Sequence, residues 1–210
     1  MPGREIILKN EIIRVGARLY QSGLATAKSG NISAKLDDDL ILITATGTCL
    51  GNLKYTDIVK VSLDTKKPQR NKPPSSELPL HALIYKSFSC NSVLHCHPPL
   101  INGYFAVNST LKVLTLETKL YLKEVPVVKQ STPTVTEPEL VISALTKSNL
   151  VVLKNHGVVV ISQEFQDALV LIESLEQAVK VAAIARLFRK MRPDKLDKSL
   201  KQNLTHARNY

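Results

Sequence analysis

Residues 137–164 read EPELVISALTKSNLVVLKNHGVVVISQE, and the order of apolar and polar positions in them decides the fold class. Glu137 to Lys147 reads as a helix. Leu150 to Lys154 is a short β-branched run with the length and composition of a strand. Asn155-His156-Gly157 is a tight turn able to expose a ring, and a second β-branched run, Gly157 to Ile161, comes after it. A long helical pattern then runs from about Glu164 to Lys190.

The same interleaving continues upstream. Ile6, Ile7, Ile12, Ile13, Leu19 and Tyr20 recur at helical spacing over residues 5–23, ending at Gly23, a residue suited to the position after a helix. Ser29-Gly30-Asn31 breaks regularity before two strand-like runs, Leu40 to Thr44 and Asp57 to Val61, with Ala45 to Thr48 as a loop between them. Lys66 to Pro74 is a polar, proline-rich surface connection. Ser75-Ser76, with Glu77 and Pro79 in the next turn, opens a helix predicted to reach Phe88. Asn91 to His97 reads as a strand stopped by Pro98-Pro99, and Leu111 to Thr115 and Glu124 to Val128 read as two more. Helices and strands alternating along one chain predict a layered α/β domain, and no internal repeat is present.

The length of 210 residues fits one substantial domain, spanning 1–190, followed by a basic tail at 191–210. Hydrophobic residues at 44% and charged residues at 22% are ordinary for a folded protein and exclude the signature of disorder. Charges at Arg4, Glu5, Lys9 and Glu11 interrupt any signal-peptide core, and no segment has the ~18 apolar residues of a membrane span, so a cytoplasmic protein without membrane contact is expected. Cys49, Cys90 and Cys96 form no Cys-x-x-Cys pair, and their odd number points to free thiols.

A net charge of +10 raises the question of nucleic acid. Residues 186–210 carry eight Lys/Arg against Asp194 and Asp197, so most of the surplus sits at the end of the chain. Tryptophan is absent and aromatics are 5%, which gives single strands little to stack on. A solvated helical end near a subunit interface explains the tail better than an RNA or DNA contact, and a small anionic substrate suits the mildly basic body.

The chemistry concentrates in a few places. His95 and His97, two apart on a strand, emerge on one face with Cα atoms about 6.7 Å apart. Two such rings can reach one metal ion at about 2.0 to 2.1 Å, or they can be half-buried strand histidines. His156, on its turn, is the candidate third ligand. Three neutral nitrogens leave a fourth position open, as in catalytic zinc. His81, inside a helix, and His206, in the tail, have weaker contexts. Glu77, read alone, is a first-turn carboxylate favoured by the helix dipole. Ser75-Ser76 are cap residues or, with the helix N–H groups, a phosphate cradle. Thr46-Gly47 and Gly30-Asn31 offer backbone N–H beside a short polar side chain, as many turns do.

Order and spacing together carry more than each motif. Ser29-Gly30-Asn31-Ile32-Ser33, Ile43-Thr44-Ala45-Thr46-Gly47, Pro74-Ser75-Ser76-Glu77 with a histidine on the following helix, His95-Cys96-His97-Pro98 and Lys154-Asn155-His156-Gly157 resemble, in that sequence, the class II aldolase/adducin superfamily. The resemblance spans about residues 5–190 and is nearest to the fuculose-phosphate aldolases. It implies a three-layer α/β/α sandwich with a mainly antiparallel sheet, assembled as a homotetramer with sites between subunits. It implies one Zn2+ per subunit held by His95, His97 and His156, with Glu77 as resting ligand and catalytic base. Gly30, Asn31, Thr46, Gly47, Ser75 and Ser76 match the family's phosphate-binding positions, and Tyr210 is the counterpart of its C-terminal catalytic tyrosine.

The implied reaction is cleavage of a phosphorylated sugar to dihydroxyacetone phosphate and an aldehyde through a metal-bound enediolate. One departure concerns a mid-chain tyrosine donor: Tyr104 and Tyr121 flank its expected region and Glu117 lies inside it. Methylthioribulose-1-phosphate dehydratases share the three histidines and the glutamate, whereas ribulose-phosphate 4-epimerases usually carry Asp at the position of Glu77. An adducin-like binding module is the non-enzymatic alternative, and it has no chemical need of the histidines and Glu77.

Overall fold

The computed structural model describes residues 2–68 and 72–190. The basic tail, with His206 and Tyr210, lies outside the described residues. The chain runs α1 (Pro2–Gln21), β1 (Asn31–Lys35), β2 (Leu40–Thr44), β3 (Ile58–Ser62), α2 (Leu78–Ser87), β4 (Ser92–Cys96), α3 (Pro99–Val107), α4 (Leu116–Tyr121), β5 (Val127–Lys129), α5 (Pro138–Leu145), β6 (Leu150–Lys154), β7 (Gly157–Ser162) and α6 (Phe165–Lys190). Among the described residues the strands form one sheet in the order β3-β2-β1-β4-β7-β6-β5. Only the β5–β6 pair is parallel.

Alternation along the strands builds two cores. Ile32, Leu42, Leu94, Val152, Val158 and Val160 face a layer made by α1, α3, α4 and α6, while Ile41, Ile43, Val93, Val151, Leu153 and Val159 face α2 and α5. Strands covered on both sides need apolar residues at successive positions, which is why β6 and β7 read as unbroken runs. Each buried Val, Leu or Ile contributes about 1.5–3 kcal/mol, so this apolar pair is a large part of what holds the sheet to both helical layers. Gly23 ends the first helix in a left-handed conformation, φ 70°, with the Leu24 amide returned to the Leu19 carbonyl at 2.9 Å. No helix among the described residues is long and apolar enough to cross a membrane.

Three local expectations change. Leu111 to Thr115 is not a strand: it is irregular chain between α3 and α4, where half-buried Leu111 and Val113 pack on the core from one side without a pairing partner. β4 ends at Cys96, so His97 stands just beyond the strand, although alternation still carries its ring to the side of His95. β1 was hidden in the sequence because Asn31 and Ser33 are polar. Both face α2, where a buried histidine receives them.

Candidate active site

Antiparallel pairing gathers the motifs at one end of the sheet. The start of β1 lies beside the end of β4, with Asn31 opposite His95, and the start of β7 lies beside the same end. The end of β2 leads into the Thr46-Gly47 loop. Backbone bonds from Thr46 N–H to the Pro73 carbonyl, 3.1 Å, and from Ser75 N–H to the Thr44 carbonyl, 3.0 Å, tie that loop to the segment preceding α2. Five stretches remote in sequence thereby line one cavity of about 160 Å3.

The β6–β7 turn presents His156. Asn155 takes a left-handed conformation, φ 65°, which asparagine tolerates better than most residues. Asn102 of α3 donates from Nδ2 to the His156 carbonyl at 3.1 Å and steadies the turn. His95 donates from Nδ1 to the Val158 carbonyl at 3.0 Å, so its Nε2 is bare. That Nε2 stands 2.9 Å from Nε2 of His97 and 3.3 Å from Nε2 of His156. Tetrahedral ligands about 2.05 Å from zinc stand about 3.3–3.4 Å apart, so the spacing fits one ion closely. With its own N–H spent on Val158, His95 can only accept or ligate at Nε2, so an ion, or a proton of a neighbouring ring, belongs between these nitrogens. Three imidazoles form a donor set suited to zinc, and all their ligand atoms lie within 4.8 Å of one another.

The rings are neutral near pH 7, as ligation requires. Burial pushes His95 well below the ordinary imidazole value, with the neighbouring rings adding to the shift. Burial and His156 bring His97 down to about 4, and burial lowers His156. The backbone leaves room for the cluster. A Cβ at Gly157 would stand 2.4 Å from the Cys96 carbonyl oxygen and 2.8 Å from Cδ2 of His97. Gly157→Ala is therefore expected to displace the His97 ring and weaken metal binding about 10- to 100-fold, as measured by competition with a chromogenic chelator.

Glu77 lines the same cavity and is only 4% exposed. It precedes the first helical residue of α2 but does not cap the helix; both carboxylate oxygens face the Val135 amide, at 3.1 and 3.3 Å. Burial raises its pKa, with the Val135 bond partly offsetting this. It lies outside the tight group formed by the three imidazoles. Gly30, Asn31, Thr46, Gly47, Ser75 and Ser76 all contribute to the cavity wall. Gly30 has φ 82° and no space for a Cβ, which would meet the His95 carbonyl oxygen at 2.6 Å.

Lys28, Thr48 and Pro133 also line the cavity and were not singled out in the sequence. A lysine two positions before Gly30-Asn31 was the available signal for Lys28. Tyr104, Tyr121 and Glu117 do not line the cavity; Tyr104 donates instead to the Thr110 carbonyl at 3.1 Å.

Acid should unfold the metal-free protein. Burial holds His81 at about 3 and His97 is at about 4, whereas an unfolded histidine titrates near 6.5. Between those values the unfolded chain takes up protons that the folded chain refuses, so stability is complete above about pH 6.5 and falls as pH drops. Glu77 and Glu176, raised by burial, work in the opposite direction, but they are two carboxylates against four depressed rings. Denaturant midpoints at pH 7 and 4.5 should differ, with up to about 1.4 kcal/mol per pH unit from each ring.

A family model described as the class II aldolase and adducin N-terminal domain matches residues 10–183. The chain belongs to this family. Among its relatives, an L-fuculose phosphate aldolase of Methanocaldococcus jannaschii is 31% identical over 186 residues, covering 87% of this chain and 99% of that protein. A 3-oxo-tetronate 4-phosphate decarboxylase of Pectobacterium atrosepticum is 30% identical over 181 residues, 83% of each chain. The crystal structure of L-fuculose-1-phosphate aldolase from Thermus thermophilus superposes with a TM-score of 0.80 at 28% identity, covering 89% of this chain and 97% of that one. The three layers and mainly antiparallel sheet described above are the class II aldolase fold.

Proposed function

We propose that this protein is a zinc-dependent aldolase that cleaves a ketose 1-phosphate of the L-fuculose 1-phosphate kind into dihydroxyacetone phosphate and an aldehyde. The observation that carries the reading is the shared cavity: three neutral imidazoles, one buried carboxylate and six residues of short or absent side chain, brought together from five segments. His95, His97 and His156 would hold the ion, with Glu77 as an additional ligand at rest. When bound, the metal supplies Lewis-acid stabilisation of the negative charge that develops on the substrate oxygens.

Gly30, Asn31, Thr46, Gly47, Ser75 and Ser76 would hold the phosphate through N–H and hydroxyl donors, fixing the reacting carbons. Lys28 adds a cation at the wall. As the C3–C4 bond breaks, its electron pair stays on C3 and the C4 hydroxyl loses its proton to give the aldehyde. Glu77 delivers a proton to C3, completing dihydroxyacetone phosphate, and removes it in the reverse direction. Tyr210 is the proposed proton-transfer partner on the aldehyde oxygen. A homotetramer working in the cytoplasm is part of the same reading. Association is supported by apolar side chains left in solvent on α4, with Leu116 81% and Leu120 75% exposed.

The decarboxylase relative favours a second reading on the same residues. Loss of CO2 from a 3-oxo-tetronate 4-phosphate leaves the same enediolate and, after protonation, the same dihydroxyacetone phosphate. The leaving group is therefore the informative product. Zinc-loaded protein given L-fuculose 1-phosphate and, separately, 3-oxo-tetronate 4-phosphate should release aldehyde from the first; CO2 from the second without aldehyde from the first would replace the aldolase reading with the decarboxylase one.

A further inference from the structure

His81 lies in the core, 0% exposed, beneath the cavity rather than in it. It nonetheless belongs to a continuous file of polar groups. The Tyr85 hydroxyl is 2.9 Å from Ser33 Oγ, Ser33 Oγ is 2.6 Å from His81 Nδ1, and His81 Nε2 is 2.6 Å from Asn31 Oδ1. Asn31 alone of the four lines the cavity. Burying these groups among apolar neighbours is costly unless each is satisfied, and a merely structural core would be served as well by apolar residues.

The direction of the file follows from its closed end. Tyr85 is buried, and Ser33 is its only side-chain hydrogen-bond partner among the described residues, so the phenol must donate to Ser33 or leave its proton orphaned. Ser33 then spends its single proton on Nδ1 of His81. A neutral imidazole accepting at Nδ1 carries its proton on Nε2 and donates it to Asn31. The Asn31 amide must therefore turn Oδ1 inward, which leaves its Nδ2 for the cavity. Reversing every bond would orphan the phenolic proton and present the amide oxygen, an acceptor, where an anion is to bind.

We propose that Tyr85, Ser33 and His81 are positioning residues that lock the Asn31 amide with its N–H donors toward the anion, so that the core sets the polarity of the phosphate site. This rests on the reading of the cavity as a phosphate site. Ser33→Ala leaves Nδ1 of His81 without the donor that sets its tautomer and so frees both directions at Asn31, whereas Tyr85→Phe removes only the terminal donor and leaves Ser33 still donating to His81.

The test uses the zinc-loaded full chain titrated with inorganic phosphate by calorimetry, with melting curves confirming that each variant folds. Ser33→Ala should weaken phosphate about tenfold, the scale of one hydrogen bond to a charged group. In an Asn31→Ala background it should have no further effect. Tyr85→Phe should show a smaller loss, since the Ser33 proton still has only His81 to go to, and adding it to Ser33→Ala should change nothing more. In 15N spectra the Asn31 side-chain amide should shift on phosphate addition in the wild type and give two sets of signals in Ser33→Ala. Wild-type affinity in Ser33→Ala, or a loss that multiplies with that of Asn31→Ala, would overturn the relay while leaving the cavity reading intact. A wild type that fails to bind phosphate would overturn the cavity reading itself, and the relay with it.

Discussion

Replacing His95 with alanine should give a protein that retains no divalent metal and turns over sugar phosphate at least about a thousandfold more slowly. His95 is the ring that both others approach, at 2.9 and 3.3 Å, and its Nδ1 bond to Val158 fixes both its tautomer and its orientation. Without it, two imidazoles on separate segments remain beside a carboxylate outside their tight group, a set that holds an ion far more weakly. The fold will also suffer, because His95 is 1% exposed and the Val158 carbonyl loses its side-chain donor. An unsatisfied buried group costs about 1–3 kcal/mol, enough to confuse lost activity with lost protein. The metal-induced change in melting temperature separates the two. Zinc at a thousand times its Kd stabilises a protein by about 4.1 kcal/mol, and the variant should show none of this gain. His97→Gln, at a less buried ring, should reach the same metal-free result at smaller cost to folding. Full zinc occupancy in purified His95→Ala would remove the basis of the metal centre.

The residues of the cavity stand out in the sequence because their chemistry is poorly suited to where they sit. One histidine interrupts an apolar strand, a second follows its last residue, and a third occupies a turn whose neighbours are Asn and Gly. Ser75-Ser76-Glu77 is readable as a helix start, yet the structure gives Glu77 a different local task, accepting from Val135 across 58 positions of sequence. No local pattern could supply that partner. β1 escaped for a related reason: Asn31 and Ser33 look like loop residues until α2 brings His81 and Tyr85 over them. The opposite error occurred at Leu111 to Thr115, where apolar alternation met a core but no neighbouring strand. Periodicity reports which side of a segment is buried; what lies on that side is decided by topology.

Glu77→Gln should keep the fold and the metal and lose turnover about 10²- to 10⁴-fold, the usual contribution of a positioned acid or base. The two carboxylate oxygens share one N–H donor, that of Val135, at 3.1 and 3.3 Å, so a glutamine Oε1 can satisfy the donor alone. The bond from the Glu77 amide to Ser75 Oγ, 3.2 Å, belongs to the backbone and survives. The three imidazoles supply the metal with nitrogen ligands independent of residue 77, so zinc content should be retained even where the carboxylate is a further ligand at rest. What disappears is the capacity to take and return a proton, in a group whose pKa burial has already moved upward toward working pH. Hydrogen exchange isolates that step. Dihydroxyacetone phosphate incubated with zinc-loaded wild type in D2O should take up deuterium at C3 without any aldehyde present, because exchange needs only removal and return of the proton. Glu77→Gln should bind inorganic phosphate as the wild type does and yet leave the C3 hydrogens in place. Exchange at the wild-type rate would assign the proton transfer to another group and leave Glu77 a structural or metal-binding carboxylate.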